Sequence, residues 1–545
     1  MDIAKGSERI RDTTNDITIK LFWIGLFAHV VLWTLICTLT QPNLPLDMVE
    51  MTFWGEQWQL GYHKHPPLPA WIAATVWQLG NHSPWLMYLT SQLTIAVTFW
   101  AVWQLAREGL PAWLALCSVA VLQGCYYCTF MINDINNTNV TRPFWALSIL
   151  FLYRAISSER PKRQYLYWCL TGVTIGLGML CKYYLAILLL AMMSVPLLIP
   201  SVRKSLRTVG PWLTTAIALL IFSPHLVWMV NNDFVTIQYA LARSTETPQL
   251  SWTRHILSPT QFLLSQIGAW LPIVLLSWPL IGKTIKTNEI KCLLAKKDET
   301  ANATPIFRTY LSIVVLGPIL IYVVVALITG ANIRSKWGGP LFSFLGVWLI
   351  ANYPFQKNSD ANITKQTEIR KALRGCLVAA TVMLFAFTVK NTIIPPLRGE
   401  FSRIHFPGQV VSQEVQKRWA EHETSELSIV GGDMFVAGCT SVYAEKKLDV
   451  YAGLKPITSP WVSDEEINKR GAMIVWNIDE TGKAPPSSWL NRFPNSTVLE
   501  PFQCHAGGAA QGLNANVGML LVSPDPQAPQ AATKTRTAKS DKALH

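Results

Sequence analysis

Charge is scarce in this chain: Asp, Glu, Lys and Arg make up 14% of its 545 residues, against roughly a quarter in an ordinary soluble protein. That scarcity excludes a conventional water-exposed surface over most of the molecule. A Gly-rich phosphate loop and an internal repeat are both missing, so a nucleotide-driven pump lacks its signature and a solenoid is excluded. Tight metal-ligand spacing is missing as well. His63, His65, Asp47 and Glu50 supply ligand types without a compact pattern, which leaves a divalent metal as a rival reading and requires no cofactor. The ten cysteines give no framework. Seven of them (Cys37, Cys117, Cys125, Cys128, Cys169, Cys181 and Cys376) lie in or beside apolar runs, where Cys125-Tyr-Tyr-Cys128 reads as packing, and Cys292 lies in a basic loop. Cys439 and Cys504 would pair only if their region faced an oxidising compartment.

Apolar sequence is what the chain has in abundance. Half of the residues are hydrophobic and 23 are Trp. Runs of spanning length fall at 19–39, 84–106, 111–131, 140–157, 165–181, 183–200, 209–230, 260–282, 309–329, 338–353 and 373–392. They predict an α-helical polytopic membrane protein with about 11–13 transmembrane helices. The stretch from Pro66 to Gly80 is too short and too Pro-rich to span, and reads as an interfacial or re-entrant helix. Met1 to Lys20 is polar, and the apolar run after it has no small-residue cleavage site, so it reads as a retained first helix.

The net charge of +13 suggests nucleic acid until its placement is seen. With a cytoplasmic N-terminus, the inner segments before residue 390 hold 23 lysines and arginines, among them Arg160, Lys162 and Arg163 and the Lys283 to Arg308 loop. The outer loops hold six: Lys64, Arg142, Arg243, Arg254, Arg334 and Lys336. The asymmetry is a positive-inside signal, and the charge therefore reports topology and no nucleic-acid partner. It places the loop at about 40–82 and everything after residue 397 outside the cytoplasm. From about Arg398 the composition becomes that of a soluble domain. Leu427 to Gly432, Leu448 to Gly453, Ala472 to Trp476 and Val517 to Val522 read as buried strands, and Gln409 to Glu421 and Asp464 to Arg470 as helices. The expected organisation is a membrane domain over 1–397, an α/β domain over 398–523 and a disordered tail over 524–545.

Reactive groups concentrate between Leu46 and Trp71. Asp47 and Glu50 are three apart, on one face of a helix that starts at the membrane surface. A carboxylate held there is partly desolvated, which raises its basicity towards a hydroxyl proton; the alternative is an Asp47 that caps the helix. In Tyr62-His63-Lys64-His65-Pro66-Pro67 two prolines fix a corner that begins the next helix, and the basic side chains before it suit a phosphate. The alternative is an interfacial loop anchored by Trp and Tyr. Lys182, with Tyr183 beside it, sits between two apolar runs, and an intramembrane lysine is costly enough to imply function unless it snorkels. Arg334 and Lys336 occupy a short outer loop. Asp134 is a further outer carboxylate, whose plainer reading is loop solvation.

Asp47, followed by Gly61-Tyr62 and then His65-Pro66-Pro67-Leu68 directly after a first span, resembles the bacterial members of the protein O-mannosyltransferase-like superfamily. These are the glycosyltransferase family 39 and aminoarabinose transferase relatives with the GT-C fold. Weaker likeness comes from Gly176-Leu-Gly-Met-Leu-Cys-Lys-Tyr183, from Ser223-Pro-His-Leu-Val-Trp228 and from Arg334 to Trp337, so that the resemblance covers about residues 20 to 350. It implies transfer of a sugar from a polyprenyl-phosphate donor to a glycan, lipid or protein acceptor on the outer side of the membrane. Asp47 then matches the acidic residue of the first outer loop, assigned as general base or acceptor-binding group, and His65 the position before Pro-Pro. Around a catalytic Asp47, the candidate substrate-binding residues are Glu50, Tyr62, His63, Lys64, His65, Asp134, Lys182, Tyr183, Arg334 and Lys336. Two departures stand out: Asp-Glu is common where this chain has Asp47-Met48, and the acidic residue of the second outer loop has no match near Thr138 to Thr141. The C-terminal α/β domain resembles one found in a subset of bacterial members. A lipid or polysaccharide flippase is the alternative from another class; it would use the same charges as a pathway, but gives no reason for a Pro-Pro-ordered cluster in one outer loop.

Overall fold

The computed structural model describes residues 2–245, 252–285, 303–352 and 362–525. The basic loop from residue 286 to 302, with Cys292, and the tail from residue 526 lie outside them. The chain divides into two units, Met1–Arg398 and Gly399–His545.

The first unit is helical. Its elements are α1 (Asp2–Thr40), α2 (Leu46–Gly55), α3 (Leu68–Leu79), α4 (Pro84–Gly109), α5 (Ala112–Ala120), α6 (Asn137–Ser157), α7 (Pro161–Met179), α8 (Leu185–Leu198), α9 (Val209–Asn231), α10 (Val235–Thr245), α11 (Arg254–Ile285), α12 (Pro305–Thr329), α13 (Leu345–Asn352) and α14 (Asn362–Thr392). Every apolar run in the sequence meets helix. Five segments among the described residues are long and apolar enough to cross a membrane: Asn15–Thr40 of α1, α4, α9, α12 and Leu373–Thr392 of α14. α8 and the turn Pro200–Arg207 pass the same test only together, and they are bent by 107° at the break between them, as in a broken span or a re-entrant loop. The outward faces of the five carry bare apolar side chains, such as Phe27, Leu220 and Ile328, each more than 70% exposed, as lipid-facing surface requires. Inward faces pair their polar groups instead, as where Ser148 Oγ donates to Thr174 Oγ1 at 2.9 Å.

Two runs read as unbroken spans prove to be broken. The 111–131 run is α5 followed by two 3-10 turns, Val121–Gly124 and Tyr126–Cys128, and the 338–353 run stops at Leu341 and resumes at α13. Both breaks are lined by buried residues, among them Leu122, Tyr127, Leu341 and Phe344. Irregular backbone at membrane depth is tolerated only where protein covers it.

The Pro66 to Gly80 stretch forms α3, whose 12 residues are too short to span. It packs face to face with α2, and Gly55 lets the two helices meet: a Cβ there would lie 1.9 Å from the Ala70 carbonyl oxygen. Eight of the ten residues of α2 are buried. The segment that carries the reactive groups is therefore a fixed wall of the unit.

The second unit is an α/β domain. Its elements are α15 (Gly408–His422), β1 (Ile429–Gly432), α16 (Met434–Val442), β2 (Asp449–Ala452), α17 (Asp464–Arg470), β3 (Ala472–Asn477), β4 (Ser496–His505) and β5 (Asn514–Val522). The sheet order is β2-β1-β3-β5-β4, parallel from β2 to β3 and antiparallel from β3 to β4. Ile429, Ile474, Trp476 and Leu520 build a core on one of its faces. Sequence periodicity missed β4, whose register slips between Leu499 and Phe502 around Pro501. It also missed α16, which Asp433 caps by accepting from Phe435 N and Val436 N, both at 2.9 Å. No disulfide joins Cys439, buried in α16, to Cys504 in β4.

Candidate active site

Asp47 is not a helix cap. Pro45 holds the cap position of α2, no side chain caps that end, and Asp47 is the second helical residue. Its carboxylate is 35% exposed, and its oxygen lies 4.0 Å from Lys336 Nζ, itself 43% exposed. Glu50, one turn on, has a different fate: it is buried and closes on Lys64 Nζ at 2.6 Å. Burial raises the proton affinity of Glu50, and the Lys64 ammonium opposes that rise.

Lys64 stands on a tight corner in which Tyr62 N donates to His65 O at 3.0 Å and His65 N to Tyr62 O at 3.2 Å. Tyr62 stacks on Trp54 at 5.1 Å and donates its hydroxyl to the Trp54 carbonyl at 2.7 Å, so it serves the corner itself. Burial, reinforced by the Lys64 charge, pushes the His63 imidazole down to about 3. His65 is held well below the ordinary range by burial and by Lys182, Lys64 and Lys336. Both rings are neutral at physiological pH, so they offer hydrogen bonds and no charge. The start of α3 is not an open anion site: Leu68 N donates to Leu180 O at 3.1 Å, and Pro69 has no N–H. That bond docks the turn that carries Lys182.

Lys182 Nζ donates to Thr138 Oγ1 at 2.8 Å and stands 4.9 Å from the Trp337 ring. Burial, then the charges of Lys336 and Arg334, lowers its amine to about 7, against the pull of Asp47. The 334–337 turn is held by protein groups at several points: Tyr127 and Gln266 donate to Ser335 O at 2.7 and 3.3 Å, and Tyr184 to Trp337 O at 2.6 Å. Lys336 and Arg334 are thus presented by a braced turn.

Asp134 is the third carboxylate of this region. It lies on the loop before α6, four to seven residues upstream of the place where the family pattern puts one, and accepts hydrogen bonds from Asn136 and from Asn139 Nδ2 at 2.9 Å. Burial first, and then the negative charge of Asp47, pushes it up to about 8. At neutral pH it holds a proton, so it does not duplicate Asp47.

Tyr183 points away from the cations. Its hydroxyl meets His225 Nε2 at 2.6 Å and Thr236 Oγ1 at 2.8 Å. His225 Nδ1 lies 2.6 Å from the Leu60 carbonyl, an acceptor only, so Nδ1 carries the proton and Nε2 accepts from Tyr183. The sequence motif around His225 gave this histidine no role; in the fold it ties the 59–65 corner to α9 and to the Lys182 turn. Gly61 completes the joint, since a Cβ there would sit 2.3 Å from the Trp228 ring. Among the described residues no three His, Cys, Asp or Glu side chains converge as a metal site, and Glu50 is taken up by Lys64.

The site is thus a partly open carboxylate with Lys336 and Lys182 beside it, carried on converging loops. Residues 64–228 match the family described as dolichyl-phosphate-mannose-protein mannosyltransferase. Over its length the chain superposes on the crystal structure of ArnT from Cupriavidus metallidurans bound to undecaprenyl phosphate. The TM-score is 0.58 at 14% identity, with 94% of this chain and 99% of that one covered. The chain is a GT-C membrane glycosyltransferase. It is 24% identical over 480 residues to the lipopolysaccharide core galacturonosyltransferase RgtB of Rhizobium johnstonii, covering 85% of this chain and 89% of the relative. It is 21% identical over 529 residues to RgtA of the same organism, covering 93% and 98%.

Proposed function

We propose that this glycosyltransferase moves a sugar from a polyprenyl-phosphate donor to a hydroxyl of an extracytoplasmic acceptor, with inversion and with Asp47 as the base. The observation that carries the reading is the unequal state of the three carboxylates. Glu50 is closed by Lys64, Asp134 keeps its proton at neutral pH, and Asp47 alone stands open beside the lysines. In the proposed step Asp47 takes the acceptor proton as the acceptor oxygen bonds to the anomeric carbon. The bond from that carbon to the carrier phosphate breaks, and the phosphate leaves with its electron pair towards Lys182, Lys336 and Arg334. A lipid phosphate is a good leaving group, so no strong acid is needed. A protonated Asp134 is a poor nucleophile, which argues for one displacement and therefore for inversion.

The undecaprenyl phosphate bound to ArnT supports the carrier, and the two relatives named as lipopolysaccharide core galacturonosyltransferases support a saccharide of the outer envelope as acceptor. They also make a uronosyl donor the first to assay. Purified enzyme in detergent, given carrier-linked galacturonic acid and core lipopolysaccharide, should form a new glycosidic bond visible by mass spectrometry. A protein that forms no bond with any carrier-linked sugar in detergent, yet moves the lipid across sealed vesicles, would be the flippase instead.

The lysine and arginine asymmetry supports an active site and a C-terminal domain on the periplasmic side. A reporter that works only after export should be active when fused after residue 400 and silent when placed between Lys283 and Arg308. The reverse pattern would put Asp47 in the cytoplasm, among soluble nucleotide sugars, and remove the case for a polyprenyl donor.

A further inference from the structure

In the C-terminal sheet the connections leave the carboxyl ends of β1 and β3 in opposite directions. The chain runs from β1 through α16 to β2 on one side, and from β3 to β4, beyond β5, on the other. Open α/β sheets take ligands in the crevice at such a switch point. Here the crevice is a cavity of about 370 Å³, lined by Asp433 and Phe435 after β1, Asn477 and Asp479 after β3, Asn514 at the start of β5, and Arg403. The volume falls within the range of about 300–1,000 Å³ typical of small-molecule sites.

The lining selects the chemistry. Phe435 and Phe406, both buried, meet edge-on with centroids 5.3 Å apart behind the cavity, and the Arg403 guanidinium stands 5.4 Å from the Phe435 centroid. Glu400 and Glu480 join the two aspartates, so four carboxylates face one guanidinium and the field repels an anion. The start of α16 offers an anion no help, because Asp433 already accepts its first N–H groups. The carboxylates do not converge on a metal position among the described residues. Asn514 Oδ1 is buried and receives no hydrogen bond from the protein, a cost that an incoming donor would offset.

We propose that this crevice binds a neutral sugar residue, with its hydroxyls donating to Asn514 Oδ1, Asp433 and Asp479. The site is separate from the transfer chemistry and stands or falls without it.

The test uses the full chain in a detergent without a sugar head group, titrated with glucose, galactose and galacturonate and read by saturation-transfer NMR. A neutral hexose should bind saturably and galacturonate more weakly. Asn514→Ala should weaken hexose binding about threefold to tenfold, the effect of one lost hydrogen bond. Glu480→Gln, a change on the exposed rim, should narrow the gap between hexose and uronate, and Asp47→Asn should leave hexose binding unchanged. The proposal is overturned if no hexose binds saturably, if uronate binds as tightly as hexose, if folded Asn514→Ala binds as the parent does, if Glu480→Gln leaves the gap intact, or if Asp47→Asn removes the binding.

Discussion

Asp47→Asn should lower turnover by at least about 100-fold while donor binding is kept, because the substitution preserves shape and removes the proton acceptor. The helix should not suffer, since Asp47 caps nothing. Donor affinity at low pH should stay level or rise, because one negative charge has left a site built for phosphate. Asp47 also supports the charged form of Lys182. Its loss should therefore move the pH dependence of donor binding to lower pH, a shift that a purely structural role would not produce. Turnover near that of the parent in folded Asp47→Asn protein would remove Asp47 from the chemistry, and turnover lost only in step with folding would return it to the helix.

What the sequence made legible follows from which forces act locally. All eleven apolar runs meet helices, because a span must satisfy its own backbone whatever its neighbours do. The breaks at Val121–Gly124 and after Leu341 were not legible, since their tolerance depends on side chains that cover them from distant segments. Asp47, Lys182 and Lys336 were legible because charge at a membrane surface is costly and needs a reason. Their division of labour was not. That Lys64 is spent on Glu50, that Leu68 N holds Leu180, and that His225 reaches back 165 residues to Leu60 all depend on tertiary partners. Asp134 is instructive in another way: a search at the expected position finds only Thr138 to Thr141, whereas the fold brings a carboxylate to the region from a few residues earlier.

Lys182→Met should weaken donor binding by about 10- to 100-fold, the worth of a hydrogen bond to a charged phosphate at about 1.5–3 kcal/mol. The substitution also strands the Thr138 hydroxyl, so Lys182→Arg, which keeps charge and donors, is the control. The pH dependence separates them. Burial and two neighbouring cations bring the Lys182 amine down to about 7 in the free enzyme. Its cationic form binds phosphate, so its contribution is complete below that value and is lost as pH rises through it, by about tenfold per unit until the raised value of the complex is reached. Asp134, pushed up to about 8, then gains negative charge and weakens phosphate binding further, a limb that Asp134→Asn should remove. An arginine at position 182 stays charged throughout, so the first limb should flatten in Lys182→Arg. Donor dissociation constants measured on both sides of about pH 7 decide the matter. Parallel profiles for the parent and Lys182→Arg, or donor binding untouched by Lys182→Met, would mean that Lys182 serves the packing of the Thr138 loop and that Lys336 and Arg334 hold the phosphate without it.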